Sequence, residues 1–154
     1  MSEMPVIDLL KKLANEQAAA SENSQGPADP QHIEAVELEA ETRLSAKLPG
    51  DFLTYLSLSN GTDFNGLVLY GSNQSPDATG PGGFWQGLTA ANLAWREGGD
   101  HQDYVILGET GIDLLTLDPR GENAASRDRV SGDIVEHFPS VAAMIECYLR
   151  SHLE

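Results

Sequence analysis

The sequence predicts an α+β domain: an antiparallel sheet flanked by N-terminal helices and a closing C-terminal helix. Three observations carry that prediction. Apolar residues recur at three- and four-residue spacing through the first third of the chain, the mark of helices with one buried stripe. Short apolar runs between glycines and other turn residues then take over from Gly66 to Phe138, as in strands. Helical spacing returns after Pro139. Helices, then a run of strands, then a helix is the order of an α+β fold.

Each element follows from local chemistry. Val6, Leu9, Leu10 and Leu13 define a first helix from Pro5 to Ala20, with proline in its first turn. The polar stretch Ser21 to Pro30, broken by two prolines, reads as a linker. It divides residues 1–30 from a domain over 31–154. A second helix, Gln31 to Leu44, buries Ile33, Val36, Ala40 and Leu44 and carries Glu34, Glu37, Glu39 and Glu41. Pro49 interrupts it and Asp51 is placed to cap a third helix, Phe52 to Leu58. That helix ends at Asn60-Gly61, with Gly61 as its left-handed terminator.

Gly66 to Gly71 reads as a central strand, and Ser72 to Gly83 as a loop. Leu88 to Arg96 has the spacing of a short helix with Trp95 in the core. Tyr104 to Gly108 and Ile112 to Leu117 form a hairpin through Glu109-Thr110-Gly111. Asp118 to Gly121 is a turn, and strands near Ser126 to Val130 and Ile134 to Phe138 continue the meander. Val141, Met144 and Ile145 supply the buried face of the last helix.

Bulk composition narrows the function. Asp and Glu total 24 against 9 Lys and Arg, a formal net charge of -15. Phosphate backbones need a positive field, so direct nucleic-acid or anionic-membrane binding is disfavoured. No apolar run approaches the roughly 20 residues of a bilayer span, and the first residues lack a basic secretory n-region. A single cysteine, Cys147, allows no internal disulfide, which suits a cytoplasmic location. It reads as core packing.

No motif predicts an enzyme. There is no nucleophile elbow, and the glycine-rich loop after Gly71 lacks a Gly-Lys-Ser/Thr ending. His101 lies between Asp100 and Asp103; a solvated turn suits them better than a metal site. We therefore expect no catalytic, cofactor-binding or metal-binding residues. Candidate protein-binding residues are Asp63 after the Asn-Gly turn, Phe84 and Trp85 after the glycine-rich loop, and Glu109 with Asp113 flanking a hairpin turn. The last two, at one sheet edge, would join Asp63 in an acidic rim.

Read together, Ile33, Glu41, Leu44, Leu48-Pro49, Phe52, Tyr55-Leu56 and Asn60-Gly61 resemble the N-terminal signature of the SUKH superfamily. Val105 to Gly108, Gly111 to Asp118 and the segment from Val130 onward resemble its central strands and closing segment. Leu93 to Glu97 ahead of the strand looks most like the YrhA-like branch. The resemblance spans about Gln31 to Glu154. It implies an antiparallel sheet flanked by helices and a role in protein binding. Bacterial members are largely immunity proteins that neutralise polymorphic or contact-dependent toxins, many of them nucleases or deaminases; fungal members regulate cell-wall synthesis. The implied partner is a basic toxin domain. A regulatory adaptor for endogenous proteins and a small-ligand binder stand as alternatives.

Overall fold

A computed structural model describes residues 6–22, 26–72 and 87–153. Its order is α1 (Val6–Ala19), α2 (Pro30–Arg43), α3 (Gly50–Leu58), β1 (Thr62–Phe64), β2 (Leu67–Leu69), α4 (Leu88–Trp95), β3 (Val105–Glu109), β4 (Asp113–Leu117), β5 (Ala125–Asp128), β6 (Ile134–His137) and α5 (Val141–His152). The six strands form one antiparallel meander in sequence order, β1 to β6. The predicted α+β class is the observed one.

The strand register sorts side chains onto two faces, because residues directly opposite in a ladder share a face. One row runs Asp63, Val68, Glu109, Leu114, Arg127 and Ile134 across all six strands. The residues either side of that row face the other way. On that inner face the Tyr55 hydroxyl of α3 lies 2.6 Å from Thr62 Oγ1, and Tyr148 of α5 donates to Asp113 at 2.9 Å. The outer face carries α4, pinned by Asn92 to Ile106, with α2 packed against α4 and α3. Phe52, Leu56, Leu67, Ile106, Leu107, Leu114, Leu115 and Met144 are fully buried between these layers.

Several local expectations are corrected. Asp29 caps α2, accepting from the Gln31 N–H at 2.8 Å, so the helix starts one residue earlier, at Pro30. Asp51 does not cap α3, whose N-cap is Pro49; its carboxylate accepts instead from the Ala142 N–H at 2.9 Å, in the first turn of α5 beside its Ser140 N-cap. The Gly66–Gly71 run is shorter as a strand and lies one place from the sheet edge. Beyond it stands β1, which no apolar run announced because Thr62-Asp63-Phe64 is only three residues long. Gly61 has φ +94°, but its conformation serves the approach to Gly71 and Leu69 after α3 has already ended at Ser59. Cys147 is exposed on α5, because the helix turns Met144, Ile145 and Leu149 inward. Helix α1 packs on α5 and α3, and Leu9, Leu10 and Leu13 belong to the same core as the sheet. Among the described residues no helix is long and apolar enough to cross a membrane.

Candidate protein-binding surface

The five candidate residues do not form one acidic rim. Phe84 and Trp85 lie outside the described residues. Glu109 and Asp113 stand on β3 and β4 in the middle of the sheet, not at its edge. Glu109 pairs with Leu114, so Asp113 must face the opposite side. Asp113 accepts from Tyr148 beneath the sheet, while Glu109 accepts from Tyr70 at 2.6 Å and from Arg129 above it. Asp63 shares the outer face with Glu109, two strands away. Burial raises its pKa, with a smaller push from the charge of Glu22.

What the outer face does assemble is an aromatic and arginine cluster at the end of α4. Trp95 Nε1 donates to the Tyr70 hydroxyl at 2.9 Å, and that hydroxyl donates to Glu109. Arg129 completes the chain, donating to Glu109 and to the Thr110 carbonyl while its guanidinium lies 5.2 Å from the Trp95 ring. Burial pushes the Tyr70 phenol far up, and its bond to the Glu109 carboxylate adds to the push. It stays a neutral donor.

A second set of contacts continues from the same indole. Trp95 meets His101 edge-on at 5.2 Å, and His101 Nδ1 lies 2.7 Å from the Tyr104 hydroxyl. Arg127 stacks on the Tyr104 ring at 4.0 Å and donates to Thr116 Oγ1 and the Gly132 carbonyl. The loop that supplies His101 and Tyr104 is held by Arg96, which donates to the carbonyls of His101, Tyr104 and Leu44. His101 itself has φ +63°, a conformation that costs a non-glycine residue about 1 kcal/mol or more. Arg96 thus ties the loop to the end of α2 and to the start of β3.

The cluster's chemistry suits protein recognition. Trp, Tyr and Arg are the residues that most often dominate binding interfaces, and Trp95, Arg127 and Arg129 are all half-buried here. Asp100, Asp103 and Glu97 are exposed around them. The charges of Asp100 and Asp103 reach Tyr104: burial raises its pKa most, Arg127 lowers it, and these two carboxylates raise it again. Among the described residues no group of His, Cys, Asp and Glu could hold a metal ion.

The sequence held one signal for this cluster. Arg127 and Arg129 are two of only nine basic residues, spaced by two on a strand-like segment, which puts them on one face. Trp95 reads from sequence as core; it packs against the core from its edge and is half-buried. No family model matches the chain, and no curated protein matches it significantly.

Proposed function

We propose that the chain is an immunity-type protein that binds and neutralises a polymorphic or contact-dependent toxin domain by occlusion, in the cytoplasm of the cell that makes it. The observation that carries this reading is the half-buried Trp95 with the exposed carboxylates of Glu97, Asp100 and Asp103 beside it, on a chain of net charge -15. A basic cleft, such as that of a nuclease or deaminase, would be steered to such a molecule over the range of a Debye length. The half-buried Trp95 and the exposed carboxylates of Glu97, Asp100 and Asp103 would then hold it. The SUKH-like residues agree with the reading.

A second reading, a small-ligand binder, has one observation in its favour. A cavity of about 280 Å³ lies between α1, α3 and β1, lined by Ile7, Leu10, Leu13, Leu58 and Thr62 among others. That is near the lower limit for a drug-sized ligand.

Pull-down from native lysate, washed at about 0.1 M and then about 0.5 M salt, tests the first reading. One dominant basic protein, whose toxic activity the purified chain then suppresses, is the expected result. Several weakly held endogenous proteins would point to an adaptor instead. A captured basic protein whose activity is unaffected would overturn neutralisation.

A further inference from the structure

Exposed apolar side chains are concentrated at one end of the sheet. Six large hydrophobic residues are exposed among the described residues, and four of them, Ile112, Val130, Ile134 and Val135, fall on the β3–β4 turn, the β5–β6 turn and β6. The two turns touch: the Arg129 N–H donates to the Ile112 carbonyl at 2.9 Å. Ile112 is 74% exposed and Val130 94%.

Neither turn needs these side chains. In the β5–β6 turn the Asp128 carboxylate accepts from the N–H groups of Val130 and Ser131, both at 2.8 Å, and Gly132 supplies the positive φ. In the β3–β4 turn Thr110 Oγ1 accepts from the N–H groups of Ile112 and Asp113. A polar residue would serve either tip equally well, and hairpin tips ordinarily carry one. Two exposed β-branched hydrophobes on neighbouring turns are therefore a feature of the surface, not of the fold.

The charges around them select the partner. Arg129 is engaged by Glu109 and the Thr110 carbonyl, and Arg127 by Tyr104 and the Gly132 carbonyl. The Asp128 carboxylate sits at the Val130 tip, and Asp133 beyond it is exposed. We propose that the paired hairpin tips, centred on Ile112 and Val130, are the docking surface for a basic protein partner, whose apolar cluster ringed by Lys or Arg seats on them. This rests on the basic-partner reading above and adds a second region of contact, which adjoins the Trp95 surface through Arg129.

The test titrates the full-length, nitrogen-15-labelled chain with a short amphipathic helical peptide of Leu and Lys at about 0.15 M salt. A counterpart peptide in which every Lys is Glu is the control. The Leu/Lys peptide should shift the amides of Ile112, Arg129, Val130 and Ile134, and bind about tenfold or more weakly to the double variant Ile112→Ser/Val130→Ser. Both positions are exposed, so the variant's remaining spectrum reports that it is folded. Leu38→Ser, at an exposed apolar site on α2, should leave binding unchanged. Shifts centred on Leu38 and indifferent to the double variant would overturn the assignment of the surface and leave the basic-partner reading standing. Equally tight binding of the Leu/Glu peptide at the tips would overturn the basic partner and leave an apolar docking site. Binding of neither peptide overturns the inference.

Discussion

Asn92 on α4 stands in for a missing strand beside Ile106 on β3. Its Nδ2 donates to the Ile106 carbonyl and its Oδ1 accepts from the Ile106 N–H, both at 2.8 Å. Strand β2 pairs with β3 at Gly108 and Glu109, and the Tyr70 N–H extends that contact to the Leu107 carbonyl. Farther along, β3 has no ladder partner on that side, and a buried amide takes over. Trimming it leaves two buried backbone groups unsatisfied. We expect Asn92→Ala to cost about 2–4 kcal/mol, seen as a fall of roughly 10 °C in the melting midpoint.

Gly108 lies where β2 and β3 approach most closely. A Cβ there would sit 2.5 Å from the Val68 carbonyl oxygen and 2.8 Å from Leu69 Cδ2. The first obstacle is backbone, so a strand must shift. Gly108→Ala should cost about 2 kcal/mol or more. Gly111→Ala, in the neighbouring turn with nothing within 4 Å, should stay within about 0.5 kcal/mol. Urea denaturation of the two variants checks the contrast.

Asp118 organises the β4–β5 turn. Burial is the largest single influence and raises its pKa, but hydrogen bonds from Glu122, Arg120 and Asn123 together outweigh it and hold the carboxyl at about 2, against an ordinary 3.8. A depressed folded-state pKa stabilises the fold above the unfolded value, and that stabilisation is lost as pH falls through the folded value. The stability difference between wild type and Asp118→Asn should be constant above about pH 4 and close between about pH 4 and 2. The partner Arg120 is exposed, so the difference should be modest and shrink in salt. Chemical denaturation across that range measures it.

The architecture was legible in the sequence where burial wrote a period into it. Leu9, Leu10 and Leu13, Val105 to Leu107 and Leu114 to Leu117 are continuous apolar signals, and each became an element in the expected place. Strand β1 left no such signal, because a three-residue edge strand buries only Thr62 and Phe64. The binding surface was the least legible part. Glu109 and Asp113 are four residues apart, and only the register places them on opposite faces. Trp95 and Arg129 are distant in sequence and meet because α4 crosses the sheet above β3. Long-range register and helix placement are tertiary facts that no local pattern encodes.

Helix α1 is the element whose attachment should fail first. It has 14 residues, a length at which an isolated helix is marginal in water, so its order depends on docking. Docking rests on Leu9, Leu10 and Leu13 and on Gln17, which is buried and donates from Nε2 to the Asp63 carbonyl at 3.0 Å. That bond also covers the edge strand β1, whose exposed backbone groups would otherwise invite strand pairing. Gln17→Leu keeps most of the packing and removes the donor, at an expected cost of about 1–2 kcal/mol. Because α1 can open without the sheet opening, the loss should be local. Hydrogen exchange should accelerate across residues 6–20 by about tenfold, while amides of β3 and β4 keep their protection. Equal acceleration in helix and sheet would show instead that α1 and the sheet unfold as one unit.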